Sequence, residues 1–589
     1  MLRAGAFYAA SAWLLVQVAT QVLPFFDLPN WLVRWVIVAA LVGFPFWMAF
    51  AWFHEITPTG FARDVGGTSN ESERRATGRK LDLWIIGILA CAVILLLTDR
   101  FVTRPHPAPD AQAAAMSDAA IPAKSVAVLP FNNVEGDRDQ QFFSDGLSED
   151  LITALSQFDG LKVISRESSF QFRNRTEDAD TVGHKLGVAH LLEGSVRRRD
   201  DQVRINARLV ATADGHVVWS QRYDRPYADL FALQDAITRA VAEALKVKLL
   251  AQPGAVPQTD RPPSGNLDAY AAYLRGVSSN GKGTEEGTRA AIAAFEEALR
   301  IEPAYAAAQA SLSIAWLDIA LVYNSGSETE TAFANARAAA RTALALAPDL
   351  AVVHSAQAYQ LLVGEMDWKG AEAEARHALD LAPNDAFAKY LLGNMLATLG
   401  DLDSAIALTR QAIESNPRAA NLYLWLAQYL MGKGQLDEAV QSLNAGASLR
   451  PDALGQDSSF VIIEILRGNA DKALALARER SGDDASSTYD IALALQAGTD
   501  RQAADAALEA QQAGESAEDF YAQARLHAVR GDAAAMFHAL DRAWEARDPN
   551  ISTLMYDPLL LHYRNDPRFA AYCVKVGLPA PMPAEDTRT

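Results

Sequence analysis

At 589 residues the chain is too long for one hydrophobic core and calls for three or four units of about 150 residues each. A formal net charge of −19 excludes binding to nucleic acid through its phosphates, which needs a basic face. The two cysteines, Cys91 and Cys573, have no ligand-like spacing, so neither a disulfide framework nor a cysteine-based metal site is expected.

In chain order, three apolar runs come first, at about 4–23, 31–53 and 82–100. A helix needs about 20 apolar residues to cross a bilayer, and Trp31, Trp35, Trp47, Trp52 and Trp84 lie near run ends, where indoles favour the headgroups. The loop 54–82 carries Arg63, Arg74, Arg75, Arg79 and Lys80, while Pro24–Asn30 carries no basic residue. The positive-inside rule then places loop 54–82 in the cytoplasm and everything after the third run in a bacterial periplasm. The expectation for 1–102 is therefore a three-helix transmembrane region in contact with membrane lipid. The whole would be an integral protein of the bacterial inner membrane with periplasmic soluble domains.

Residues 103–122 are rich in Pro and Ala and read as a linker. Residues 123–250 alternate strand and helix patterns. Ser125–Phe131 is a strand signal, Ser144–Phe158 a helix capped by Ser144 or Asp145 with Glu149 and Asp150 on its positive end, and Leu161–Ser165 a strand. Thr181–Leu186 reads as a helix, then Ala189–Arg197, Val203–Val210 and Val217–Tyr223 as three strands with turns between them, and Leu230–Leu249 as a closing helix. This is the order of an α+β sandwich. Gly194 marks a bulge or a close approach. A second linker, 251–264, holds Pro253, Pro257, Pro262 and Pro263 and implies relative motion of what it joins.

The strings SVAVLPFNN (125–133), FFSDGLSEDLITALSQ (142–157), LKVISRESSF (161–170), the run 186–225 and LFALQDAITRAV (230–241) together resemble the TolB amino-terminal-type domain. The strings FYAASAWLLVQ, LPNWLVRW and FHEITPTGF resemble the membrane leader found with such domains, in proteins often labelled adenylate cyclase-like. The resemblance implies an envelope location and protein contacts, and it implies no catalytic residue.

Residues 265–580 change to Ala-rich helices. Pro303, Pro348, Pro383, Pro417 and Pro451 end successive helices at spacings of 45, 35, 34 and 34. Ala291, Ala336, Ala371, Ala405, Ala439 and Ala473 keep the same register. A period of about 34 is the tetratricopeptide signature: small residues let two helices approach, and Pro stops the second so that the chain turns. About eight helix pairs are expected, degenerate toward the C-terminus, in an all-α solenoid.

Such arrays bind extended or helical peptides on the concave face. The family register points Phe387, Tyr390, Asn394 and Ala397 inward in one repeat and Asn421, Leu424, Gln428 and Met431 in the next. Tyr359 is the equivalent of Asn394 if the extra residue of its repeat lies near Asp367. The groove candidates are thus Tyr359, Phe387, Tyr390, Asn394, Leu424, Gln428 and Met431, amides for a peptide backbone and apolar side chains for its residues.

Catalytic signatures are missing. Gly276–Thr284 looks like a phosphate loop, but Gly283 follows Lys282 where Ser or Thr is needed. No catalytic residue, metal or cofactor is expected, and only three residues precede the first apolar run, so no cyclase domain is expected either. The functional expectation is a non-enzymatic, membrane-anchored scaffold or sensor that binds proteins through the repeats. The alternative is a transmembrane signalling subunit that regulates a cytoplasmic cyclase or transcription regulator through loop 54–82.

Overall fold

The structure, a computed structural model, describes residues 54–57, 60–63, 121–134, 138–199, 201–249, 260–281, 283–323, 327–450, 456–479, 485–513 and 519–581. The chain divides into two compact units, Met1–Pro107 and Ala108–Thr589. In the first, β1 (His54–Thr57) pairs antiparallel with β2 (Gly60–Arg63), a hairpin within a segment expected to be a plain loop. The three apolar runs lie outside the described residues, as does the linker 103–120. No helix among the described residues is long and apolar enough to cross a membrane. The expectation of an integral inner-membrane protein with periplasmic domains is corrected accordingly, and the lipid contact expected through its spans goes with it.

The second unit opens on a sheet. β3 (Ser125–Val128) runs parallel to both β6 (Lys162–Val163) and β7 (His190–Arg199). β7, β8 (Gln202–Ala211) and β9 (Val217–Pro226) form an antiparallel meander, and β4 (Asn132–Asn133) adds to β7. The strand order is β6-β3-β7-β8-β9. Side chains alternate along β3. Val126 and Val128 face α1 (Arg138–Leu155) and α4 (Leu230–Leu245), whereas Ala127 and Leu129 face α3 (Ala179–Leu186). Helices therefore cover both sides of the parallel strands, which are hydrophobic throughout. Gly194 marks close packing, since a Cβ there would stand 2.6 Å from the Phe131 ring. The closing helix stops at Lys246 in a left-handed cap, and Lys248–Leu249 (β10) pairs with Phe158–Asp159 (β5) instead of continuing it.

The N-terminus of α1 departs from the expected cap. The helix begins at Arg138, so Ser144 and Asp145 fall inside it. Asp145 is taken by Arg173 in a two-pronged ion pair, both contacts at 2.7 Å, which satisfies it better than an exposed cap would. A short helix, α2 (Arg166–Phe170), follows β6 where no element was expected.

From Leu267 to Glu545 the described chain forms sixteen α-helices packed in consecutive pairs. The first is α5 (Leu267–Asn280), and α6 (Glu285–Ile301), α7 (Ala306–Asp318) and α8 (Ser327–Leu346) follow it. Next come α9 (Ala351–Gln360), α10 (Trp368–Leu381), α11 (Ala386–Thr398), α12 (Leu402–Ser415), α13 (Ala420–Gly432) and α14 (Leu436–Leu449). Ala291, Ala336, Ala371, Ala405, Ala439 and Ala473 are all fully buried at 0 % exposure, as close helix approach demands. Side chains of Asp367, Asp385 and Asp401 accept the backbone N–H of Gly370, Ala388 and Ser404 and so cap three of these helices. The repeat of 35 residues absorbs its extra residue as a π-helical turn, Leu361–Glu365, just before Asp367.

The linker around 251–264 does not leave two independently moving parts. One buried cluster runs from Val126 and Leu151 in the sheet domain through Tyr270, Tyr273 and Phe295 to Ala339 in the array. The Pro-rich spacer implied mobility from its own composition, but the apolar faces on either side of it meet.

Candidate functional site

Polar contacts at two places reinforce the shared core that joins the sheet domain to the array, and a chamber lies between them. At the first, Asp150 of α1 accepts hydrogen bonds from Tyr270 Oη of α5 and from Gln234 Nε2 of α4. Asp150 is only 8 % exposed, and its carboxyl is pushed well above the usual range, first by burial and then by nearby Asp260. At the second, α2 docks on the loop between α12 and α13. Ser168 Oγ donates to Asn416 Oδ1 at 2.5 Å, Asn416 Nδ2 donates to Glu167 at 2.8 Å, and the Ser165 N–H meets the Ser415 carbonyl at 2.9 Å. The Arg418 guanidinium stacks 5.5 Å from the Phe172 ring, and the Arg418 backbone N–H donates to Ser168 Oγ at 2.9 Å. Asn384 Nδ2 adds a bond to the Ser156 carbonyl at 3.0 Å.

The chamber has a volume of about 1150 Å³, at the upper end of ligand-site sizes. One wall is the second half of α1 with α2; the other is the inner surface of α7, α9, α11 and α13. Phe387 and Tyr390 line it, and Phe387 is 39 % exposed, unusual for so large an apolar side chain. Their rings are 6.1 Å apart and begin a ladder that continues through Tyr390–Trp425 at 6.2 Å, Trp425–Tyr429 at 6.4 Å and Tyr429–Tyr556 at 5.2 Å.

Tyr556 belongs to a C-terminal segment, Pro549–Lys575, that folds back across the inner face of the array. Gly432 at the end of α13 makes room for it: a Cβ there would stand 2.7 Å from the Tyr556 carbonyl oxygen. Trp368 Nε1 of α10 donates to the Val576 carbonyl at 2.8 Å, and Arg547 reaches the carbonyls of Gly364 and Glu365. Leu554, Leu560 and Phe569 are fully buried in the same cluster as α10–α13.

This segment separates the groove candidates. Phe387 and Tyr390 face the large chamber. Gln428 and Met431 line a second cavity of about 470 Å³, walled by Tyr489, Arg525, Thr553 and Asp557. Asn394 is 6 % exposed and its amide donates to Tyr429 Oη at 3.1 Å, so its hydrogen bond is made inside the protein. Tyr359 is half-buried on the array's core, its phenol pushed well up by burial first and then by Asp318 and Tyr390. Leu424 is half-buried on that core as well. Among the described residues no cluster of His, Cys, Asp and Glu could hold a metal ion. Thr284, the last residue of the phosphate-loop-like string, caps α6 by accepting the Gly287 N–H at 3.1 Å.

The chamber's other wall leaves no mark on the repeat register. Glu149, Arg166 and Glu167 lie more than a hundred residues before the array helices they face, so no local pattern joins them.

Comparison with known proteins agrees with the repeat architecture. Residues 357–413 and 390–453 match the tetratricopeptide repeat profile. Residues 122–240 match the profile described as HilA/YgeH-like transcriptional regulator, second domain, for the region likened above to a TolB amino-terminal-type domain. A putative adenylate cyclase 3 of Rhizobium meliloti (strain 1021) is 43 % identical over 201 residues, covering 33 % of this chain and 33 % of that protein. The chain thus spans about a third of the length of that curated relative. Similar solved structures include PilF of Pseudomonas aeruginosa, 18 % identical over 36 % of this chain and 90 % of that one, TM-score 0.28. They also include a thermophilic tetratricopeptide protein of Thermus thermophilus, 20 % identical over 33 % and 98 %, TM-score 0.28. Human IFIT1 is 14 % identical over 55 % and 80 %, TM-score 0.35.

Proposed function

We propose that this chain is a non-enzymatic scaffold that holds an extended segment of a partner protein in the chamber between the sheet domain and the array. The observation that carries this reading is the chamber itself: a cavity of about 1150 Å³ with the accessible ring of Phe387 on its array wall. Tetratricopeptide repeats are protein-binding modules, and the inner helices supply the chamber's longer wall. Phe387 and Tyr390 take the partner's apolar side chains, and Gln428 and Met431 in the second cavity extend the site past the C-terminal segment. The TolB likeness rests on the sequence strings alone and adds nothing to this assignment.

A photo-crosslinking amino acid at position 387 of the full chain tests the reading in the producing cell, with position 574 as the control, where Val574 is 65 % exposed elsewhere on the array. Discrete protein adducts at 387 and none at 574 are expected. Absence of adducts at 387, or the same adducts at both, would sink it.

The match of residues 122–240 to a transcriptional-regulator domain favours a second reading, in which the captured partner belongs to a regulatory system. Deleting the gene should then shift a bounded set of transcripts, and Phe387→Ala should shift the same set. An unchanged transcriptome would remove this second reading and leave the first.

A further inference from the structure

We propose that the segment held in the chamber is cationic: a stretch of a partner protein carrying a lysine or arginine, its charged head among Glu149, Asp260 and Asp385 and its stem along Phe387 and Tyr390. The inference rests on the preceding reading of the chamber as a partner site and adds the chemistry of the occupant.

Charge complementarity carries it. The residues lining the chamber include five carboxylates, Glu149, Glu167, Asp260, Asp380 and Asp385, and one cationic side chain, Arg166. Arg166 is already engaged: its Nε is 3.1 Å from Glu149 and its guanidinium lies 4.6 Å from the Phe170 ring centre. Glu149 of α1 and Asp385 at the start of α11 both act on Asp260, which lies before α5. Burial, together with Glu149 and Asp385, pushes the Asp260 carboxyl up to about 7. Burial first, then Asp145, raises Glu149 against the opposing pull of Arg166. Burial raises Asp385 too, although Lys389, one turn along α11, offsets part of its charge. Groups held this way are short of positive charge, and a cation among them relieves both the repulsion and the burial cost.

The aromatic wall fits the same occupant. An ammonium or guanidinium over the face of Phe387 or Tyr390 gains cation–π attraction, and a lysine or arginine stem packs on the ring edges. A purely apolar segment would instead cover the carboxylates without pairing them, which is costly.

The test uses the full chain and three pools of fluorescent nonapeptides with neutral randomised flanks and a central lysine, norleucine or glutamate. Norleucine keeps the lysine stem and removes its charge. Anisotropy should show the lysine pool binding about tenfold more tightly than the norleucine pool, a difference of about 1.4 kcal/mol, with the glutamate pool weakest. Glu149→Gln combined with Asp260→Asn and Asp385→Asn should bring the lysine and norleucine pools within about twofold of each other. Asparagine at 385 can still cap α11. If the triple variant does not fold, the wild-type salt dependence decides: lysine-pool affinity falling steeply between low and high salt supports the proposal, and salt-independent binding overturns it. Equal binding of the lysine and norleucine pools, both weakened by Phe387→Ala, would overturn the charge assignment and keep the chamber as a partner site. No binding by any pool, or indifference to Phe387→Ala, would overturn both.

Discussion

Tyr270 Oη, in the first helix of the array, donates to the carboxylate of Asp150 in the sheet domain, 120 residues earlier in the chain. The bond lies in a region where both residues are almost completely buried, at 1 % and 8 % exposure. It links two parts that the intervening prolines would otherwise leave independent.

Tyr270→Phe removes one donor from a buried acceptor and should cost about 1–3 kcal/mol in urea unfolding. Because the Asp150 carboxyl is raised by burial above its ordinary 3.8, the folded state holds its proton longer than the unfolded state does. Stability from this site therefore falls as pH rises from 3.8 through the raised value. Asp150→Asn should flatten that part of the pH–stability curve, and an unchanged curve would assign the dependence elsewhere.

His354 in α9 offers a dependence at higher pH. Its Nδ1 is 2.6 Å from Glu374 and its Nε2 is 2.6 Å from the Pro348 carbonyl. Both partners accept only, so the protonated ring satisfies both contacts and the neutral ring only one. Burial alone would lower its pKa, but the bonds to Glu374 and Pro348 with the charges of Glu374 and Asp349 raise it above 6.5. The stabilisation is complete below 6.5 and is lost as pH rises through the raised value. Melting temperature should decline over that window in the wild type and stay level in His354→Gln.

Ala405 sits at 0 % exposure where α11 and α12 approach each other, and Gly393 faces its carbonyl. Ala405→Leu should cost about 1–3 kcal/mol by overpacking. The exposed Ala407 on the same helix should accept leucine within about 0.5 kcal/mol. Equal effects at the two positions would refute the idea that the register alanine is there for close approach.

Gly432→Ala places a methyl 2.7 Å from the Tyr556 carbonyl oxygen and 3.2 Å from its Cα, both backbone atoms with little freedom to move. Alanine favours the helix by about 1 kcal/mol, so α13 itself should survive. The expected result is local loosening of Pro549–Tyr563, seen as faster amide exchange there with α13 unchanged. Uniform exchange across the array would mean the close approach is unimportant.

The helices of the array were legible because their signals are local. Proline stops and alanine registers each report on residues a few positions away, and Ala371, Ala405 and Ala439 are buried together. The strands β7 to β9 were legible for the same reason, each paired with its sequence neighbour. What escaped was set by long-range contact. Helix α2 has five residues, too few to show periodicity, and it is held by Asn416 and Arg418. Asn394 looked like a peptide ligand in the register, yet Tyr429 takes its amide. Phe387 and Tyr390 were placed on the inner face by register alone, but the wall opposite them comes from a different fold class.

The bond from Trp368 to the Val576 carbonyl spans 208 residues and returns the end of the array to its middle. Open solenoids touch only their nearest neighbours, so they can fray from either end and gain or lose units over evolutionary time with modest penalty. Here the number of repeats is fixed by geometry. Deleting one unit of about 34 residues after α13 would shorten the path that the C-terminal segment must close, moving Tyr556 away from Tyr429 and uncovering Gly432. This array has therefore given up the modular growth of its kind and counts its own repeats.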